Sequence, residues 1–183
     1  LQSDYPSVLA GLGKVYYHYQ QYPKALNYLK QLVKKVPNSS DGYLWQGKTL
    51  LKMNQLKKGH EMVAKGYFLA KKNVEALSHI EKIPNFRQEK ELFKLYTATL
   101  VKGQLYKKAE EEIQQAVKIY PKDVDFVFDL SQVYYRQKQY QKSLRTALDG
   151  IKLFPRNHYL HVVAASSFGA LKQNDKATTY YEK

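Results

Sequence analysis

The chain has 183 residues, of which 44% are hydrophobic, and its 30 basic and 16 acidic side chains give a net charge of +14. A chain of this size can bury a continuous core, and none of its apolar runs approaches the ~18–20 residues of a membrane-spanning helix. The absence of cysteine excludes disulfides, thiolate metal ligands and cysteine nucleophiles, while the excess positive charge favours anionic partners.

The first predicted unit covers residues 6–39 and contains two helices. Four residues share one face of an amphipathic helix, at i, i+3, i+4 and i+7: Leu9, Leu12, Gly13 and Tyr16. Pro23 predicts the start of a second helix, because proline is favoured in the first turn. Three residues predict the inner face of this second helix: Ala25, Leu29 and Leu32. Pro37 then ends it.

The same pattern returns along the chain at a spacing of 34 residues. Gly13 recurs as Gly47, and Pro121 recurs as Pro155. Further units are predicted at 40–73, 90–123 and 124–157, with a partial unit at 158–183. A fixed period between 20 and 50 residues is typical of stacked supersecondary units.

The period breaks once, between the second and third units. Gly47 and the equivalent Thr97 are 50 residues apart, so 16 residues are inserted at 74–89. Two interpretations stay open for this insertion. Asn73 caps a short helix that ends near Ile83, or the last helix of the second unit continues through residue 82. We favour an irregular joint within one array over a domain boundary.

Small residues, an aromatic residue three positions later, Y-x-x-A and a final proline together resemble the tetratricopeptide repeat (TPR). The Y-x-x-A elements are Tyr22 to Ala25 and Tyr106 to Ala109. The resemblance covers about nine-tenths of the chain and fails only at 74–89. It implies an all-α, right-handed superhelical solenoid of antiparallel helix pairs, with about 4.5 repeats in a single array over 1–183.

The chain ends and the residue usage add two expectations about the source. Leu1 and Lys183 both fall inside repeat units, so we expect a piece of a longer TPR protein. The richness in Lys, Asn, Gln and Tyr indicates an AT-rich bacterial genome. Leu1–Asp4 has neither the basic nor the apolar region of a signal peptide, and cytoplasm and bacterial periplasm both remain open as locations.

The TPR resemblance also implies that the first helix of each pair lines a concave groove. The predicted partner-binding residues on these helices are Lys14, Tyr17, His18, Lys48, Lys52, Lys94, Lys102, Gln132, Tyr135 and Arg136. Leu51, Ala98 and Asp125 are expected beside them. Basic residues interleaved with aromatic rings suit anionic, extended ligands. The asparagines of a carboxylate clamp are missing, because their equivalent positions hold Lys14, Lys48, Ala98, Gln132 and Ser166.

Motifs for catalysis and metal binding are absent from the sequence. It contains no glycine-rich phosphate loop and no H-E-x-x-H. Among the five histidines only His158 and His161 are close enough in sequence to share a helix face, and no nearby Asp or Glu completes a ligand set. We therefore expect neither an enzyme nor a bound metal or cofactor.

The leading functional hypothesis is a protein–protein interaction scaffold that binds an extended or helical acidic partner in a basic, aromatic-containing groove. Alternatives are binding of a polysaccharide or single-stranded nucleic acid, and a positioning role within a larger envelope or export protein or enzyme. Nucleic acid is less favoured because arginine, its preferred contact residue, occurs four times against 26 lysines. Self-association through apolar array ends is also expected.

Overall fold

A computed structural model describes residues 5–182, and all regular elements in this range are helical. The eleven α-helices of the described range are α1 (Tyr5–His18), α2 (Tyr22–Lys35), α3 (Ser40–Lys52), α4 (Leu56–Leu69), α5 (Asn73–Ile80), α6 (Lys90–Lys102), α7 (Tyr106–Ile119), α8 (Val124–Arg136), α9 (Tyr140–Leu153), α10 (His158–Ala170) and α11 (Asn174–Tyr181). Consecutive helices from α1 to α5, and from α7 to α11, pack against each other, as in a TPR-like solenoid. The predicted fold class is therefore confirmed.

Helices α3 and α4 are antiparallel and cross at glycines. A Cβ on Gly47 of α3 would lie 2.4 Å from a methyl group of Val63 on α4, and one on Gly66 of α4 would lie 2.7 Å from Leu44. Residue numbers therefore rise along one helix as they fall along the other, which defines an antiparallel pair. Only a residue without a side chain permits such close backbone approach.

The turn after each first helix repeats in the backbone itself. Non-glycine residues with positive φ occur 34 positions apart in two series, Gln20 and Asn54, then Gln104, Lys138 and Lys172. At one of these turns the N–H of Lys138 donates to the carbonyl of Tyr135, and the N–H of Gln139 donates to that of Tyr134, both at 2.9 Å. This is the Schellman arrangement, which satisfies the carbonyls of the last helical turn.

The inserted segment forms an additional short helix, and neither proposed interpretation of it was right in detail. Helix α4 ends at Leu69 and does not continue through residue 82. The short helix α5 ends at Ile80 rather than near Ile83, and its cap position is Lys72, without a side-chain cap bond. Asn73 is instead its first helical residue, with a buried Oδ1 that accepts no hydrogen bond. The amide therefore cannot serve as the predicted cap.

A single 3₁₀ turn at Phe86–Gln88 follows α5 and anchors the segment. Ile83 and Phe86 are buried, and the ring of Phe86 lies 4.7 Å from that of Tyr96 on α6. The hydroxyl of Tyr96 donates to a carboxylate oxygen of Glu81 at 2.8 Å. Apolar burial together with this hydrogen bond explains why the insertion is ordered rather than looped out.

The chain divides into two compact units, one ending at Thr99 and the other beginning at Leu100. A core cluster in the first contains Leu9, Leu29 and Leu32. A core cluster in the second contains Leu144, Ala147, Val163, Ala164, Phe168 and Ala177. The single array over 1–183 stays a prediction, and the expectations about Leu1–Asp4 and Lys183 lie outside the described residues.

Within the described range, the helices also fall short of the length and apolarity that crossing a bilayer requires.

Candidate partner-binding site

The sole tryptophan lies at the centre of a group of basic and aromatic side chains on α1 and α3. We call Lys14, Tyr17, His18, Trp45 and Lys48 the Trp45 cluster. The ring centroids of Tyr17 and His18 lie 5.2 and 5.7 Å from the indole, both in edge-on geometry. The ammonium nitrogens of Lys48 and Lys14 lie 4.4 and 5.6 Å from its centroid. Four of these residues were predicted to bind a partner.

Close packing beneath the cluster determines where α1 lies. A Cβ on Gly13 would come within 2.6 Å of the Leu29 side chain, so α1 lies directly against α2. Trp45 is half-buried and packs on the Leu9, Leu29 and Leu32 core. Its indole is therefore held in place by apolar burial while one side stays accessible.

The two lysines of the cluster differ in their charge partners. Lys14 forms an ion pair with Asp41 at the start of α3. Lys48 is exposed and contacts the indole face, and it has no ion-pair partner among residues 5–182. A cation over an indole gains about 0.5–1 kcal/mol at an exposed site. Lys48 can therefore receive an external carboxylate while it stays close to the ring.

The remaining predicted residues of the compact unit that ends at Thr99 are spread along its helices. Lys52 is exposed in the last turn of α3. Lys94 and Ala98 line a depression of about 370 Å³ between α4 and α6, together with apolar Phe68 and Leu95.

Leu51, which was expected beside the groove residues, packs between the two helices of its pair. Its side chain fills the space above Gly59 of α4. The helix pair closes on this leucine because Gly59 has no side chain of its own.

The predicted residues of the compact unit that begins at Leu100 form a separate group. Gln132, Tyr135 and Arg136 of α8 line a depression of about 200 Å³ with Val162 and Ser166 of α10. The ring of Tyr135 lies 5.3 Å from that of Tyr140, edge-on. Lys102 is exposed in the last turn of α6, and Asp125 lies in the first turn of α8.

Trp45 and Asp41 were missed by the sequence analysis. Trp45 is three residues before Lys48 and therefore shares its helix face, a signal that the sequence did contain. Its position corresponds to Gly11 in the first unit, so the repeat alignment gave no reason to single it out. The pairing of Asp41 with Lys14 joins residues 27 apart, which only the packing of α3 on α1 brings together.

Two histidines meet where the sequence analysis did not expect them. The Nδ1 atoms of His60 on α4 and His79 on α5 lie 2.9 Å apart. Burial lowers the pKa of both imidazoles, and the nearby positive charge of Lys82 lowers them further; His60 adds to the effect on His79. Because a hydrogen bond between two Nδ1 atoms needs one donor and one acceptor, this arrangement requires at least one neutral ring.

The two histidines expected to share a helix face behave differently. His158 is exposed and its ring lies 4.0 Å from that of Tyr159. His161 is buried, and its Nε2–H donates to the carbonyl of Pro155 at 3.0 Å. Among residues 5–182 no three His, Asp or Glu side chains cluster so as to hold a metal ion.

Comparison with solved structures shows the fold alone, because sequence identity is low. The crystal structure of MamA protein is 15% identical with a TM-score of 0.51, over 98% of this chain and 90% of that one. MamA 41-end from Desulfovibrio magneticus RS-1 is 16% identical with a TM-score of 0.51, over 98% and 92%. No curated protein sequence matches the chain significantly.

The family comparison is more specific. The model of ChAPs, described as Chs5p-Arf1p-binding proteins, matches residues 12–167. This range runs from α1 to α10 and includes the Trp45 cluster, the inserted helix α5 and the group on α8. The chain is thus a TPR-like repeat protein, and it belongs to the ChAPs family.

Proposed function

We propose that this chain is a protein–protein interaction scaffold that binds an acidic, extended segment of a partner protein at the Trp45 cluster. The observation that carries the proposal is the accessible indole of Trp45 with the Lys48 ammonium 4.4 Å from its centroid. Tryptophan is among the residues most enriched at the energetic centres of protein interfaces. The ring supplies apolar contact area and the lysine supplies charge.

The charge of the surrounding chain supports an acidic partner. Residues 1–72 carry 12 basic and only 3 acidic side chains, whereas residues 73–123 carry 9 and 8. Of the acidic residues, Asp41 is already paired with Lys14. Excess positive charge around the cluster accelerates encounter with acidic segments and disfavours basic ones.

Family membership supports a protein as the partner. The ChAPs description names proteins, Chs5p and Arf1p, as what the family members bind, and TPR-like arrays offer extended surfaces for such contacts. Binding rather than catalysis is also the function that the sequence motifs favour.

The sole tryptophan makes the proposal directly measurable. We expect a Glu- and Asp-rich peptide to change the intrinsic fluorescence of Trp45 in a saturable titration. Any replacement of Trp45, including Trp45→Phe, removes the fluorophore. The affinities of Trp45→Ala and Lys48→Glu for the peptide are therefore measured by fluorescence anisotropy of a labelled peptide. Loss of a central aromatic residue typically costs about 2 kcal/mol or more, which corresponds to a weakening of about 30-fold.

A matched lysine controls for net charge. Lys30 is exposed on α2, so Lys30→Glu makes the same change of charge in the same unit, away from the indole. We expect Lys48→Glu to raise the dissociation constant of the peptide at least three times more than Lys30→Glu does. Equal effects would show that only the overall charge attracts the peptide, and the Trp45 cluster would no longer be a site.

The same titration separates the alternative ligands. Single-stranded DNA and a neutral oligosaccharide are added in place of the peptide. Preferential binding of the DNA with a steep dependence on salt would favour a nucleic-acid function, and a response to the oligosaccharide alone would favour a sugar-binding one. The groups around Lys52, Lys94 and Lys102, and those around Tyr135 and Arg136, are proposed as further contacts along the partner.

A further inference from the structure

One side of α1 carries an apolar stripe that the rest of the described chain leaves open. The stripe consists of residues spaced by three and four: Tyr5, Val8, Leu12, Val15 and Tyr19. Val8 is 51% exposed, Val15 48% and Tyr19 74%. Alternating steps of three and four are the spacing of a helical seam that contacts another helix. We call these five residues the α1 stripe.

Other first helices of this chain show what covers the equivalent side. The positions that correspond to Val8 and Val15 in the later units are all buried: Gly42, Leu92, Phe126 and Leu160; Thr49, Thr99, Val133 and Ser167. At Gly42 the cover is the second helix of the preceding repeat. Leu32 and Val33 of α2 lie over Gly42.

A second helix also covers a first helix in the compact unit that begins at Leu100. A Cβ on Gly150 of α9 would lie 2.9 Å from Leu160 of α10. In both places a second helix with an apolar face covers the side of a first helix that is open in α1. The chemistry of an occupant is therefore given by the chain itself, as an amphipathic helix with apolar residues at i, i+3, i+4 and i+7.

The positive charge around the stripe favours acidic residues beside the apolar face of that helix. Residues 5–36 contain five lysines and no acidic residue. One of them, Lys35, holds its ammonium 4.6 Å from the centroid of Tyr5, at the end of the stripe. A second copy of α1 and α2 would bring lysines against lysines, which is unfavourable. An occupant with Glu or Asp beside its apolar face would be attracted.

We propose that the α1 stripe docks an acidic amphipathic helix of a partner protein, in the way that α2 covers α3. This surface is independent of the Trp45 cluster. Its central side chains are on the outside of α1, whereas the cluster is formed where α1 meets α3. The occupant adds a helix to the array and buries the apolar surface that Val8, Leu12 and Val15 expose.

A peptide derived from α2 provides the probe. It has the sequence of Tyr22–Lys35 with its four lysines replaced by glutamate, and a hydrocarbon cross-link between positions 27 and 31 keeps it helical, because an isolated helix of this length is marginal. The unmodified α2 sequence with the same cross-link is the charge control. Binding of labelled peptide is measured by fluorescence anisotropy with the full chain.

We expect the acidic peptide to bind wild-type protein at least 10-fold more tightly than the lysine-containing peptide. The double variant Val8→Gln, Val15→Gln removes apolar surface without disturbing the core, and we expect it to weaken the acidic peptide at least 10-fold. Leu153→Gln is the matched control, since Leu153 is 66% exposed on α9. We expect it to leave the affinity unchanged.

Three results would overturn the proposal. The first is failure of the acidic peptide to bind wild-type protein. The second is equal affinity for wild type and the double variant, provided that circular dichroism shows both to be folded. The third is dimerisation of wild-type protein in light scattering that the double variant abolishes, because the stripe would then be occupied by a second copy.

Discussion

The indole of Trp45 is accessible but fixed, and its neighbours give it a positive surround. Tyr17 and His18 contact it edge-on, and the ammonium of Lys48 lies over its face. Because the ring is anchored on core leucines, little rotamer freedom remains to be lost when a partner binds. A single residue thus combines rigidity, apolar area and nearby charge.

His60 and His79 make the contact between α4 and α5 sensitive to pH. The groups that face the pair are Lys82, whose charge acts on both rings, and Tyr67, whose ring centroid lies 5.7 Å from that of His79. Both histidine pKa values are lowered in the folded protein, so folding disfavours protonation. The stabilisation is therefore complete above the unfolded pKa of about 6.5 and falls as the pH decreases below it.

We predict that acidification from pH 7.5 to 5.5 lowers the free energy of unfolding through this pair. At pH 5.5, one unit below the unfolded pKa, the loss of folding free energy from each histidine cannot exceed about 1.4 kcal/mol. Urea unfolding of wild type and of His79→Gln at both pH values measures the effect. The variant should lose much of the pH dependence, and His158→Gln, which changes an exposed histidine, should keep it. An unchanged pH dependence in His79→Gln would contradict the prediction.

At the scale of the helices, glycines determine how closely α3 and α4 approach. Gly47 faces Val63 so tightly that an added Cβ would lie 2.4 Å from a methyl group and 2.6 Å from a backbone nitrogen. A side chain can move away, but the backbone of α4 cannot shift without disturbing the pair. The 34-residue recurrence of Gly13 and Gly47 therefore reflects a packing requirement.

Gly47→Ala is predicted to destabilise the protein by about 1–3 kcal/mol, the usual cost of inserting a methyl group into a filled core. Gly11→Ala is the matched control, because a Cβ at Gly11 meets nothing within 4 Å. Alanine there should stabilise α1 by up to about 1 kcal/mol through helix propensity. Thermal and urea unfolding report both changes. Equal shifts of the same sign would mean that backbone propensity, and not the helix crossing, dominates at Gly47.

For the molecule as a whole, charge is the dominant property. The net charge is +14, and repulsion among the lysines opposes the folded state. The unfolded chain spreads the same charge over a larger volume. Screening should therefore favour the folded state more than the unfolded one.

We predict that raising NaCl from 20 to 300 mM increases the free energy of unfolding by about 1 kcal/mol, because the screening length falls from roughly 20 Å to below 10 Å. Urea serves as the denaturant because it adds no ions. The variant Lys30→Glu, Lys34→Glu lowers the net charge by four and should show a smaller increase. A decrease of stability with salt would indicate that attractive ion pairs outweigh the repulsion.

The amino-acid sequence alone determined the helices and their pairing. Apolar spacing of three and four, turn residues and the 34-residue recurrence are local signals, and a local signal can be read without knowing which helices meet. The starts of α3, α6, α8 and α10 at residues 40, 90, 124 and 158 follow from it. The excess of positive charge in residues 1–72 and the basic character of α1 and α3 were also available from the sequence.

Only the tertiary structure decided which distant side chains meet. The contact of His60 with His79, the pairing of Lys14 with Asp41 and the place of Trp45 between α1 and α3 depend on how helices pack. The order of the insertion also depends on packing. Ile80 and Ile83 are buried, and no asparagine caps the start of α5. These contacts join residues beyond the reach of any one helix, and their geometry is determined by close packing, which the repeat pattern does not encode.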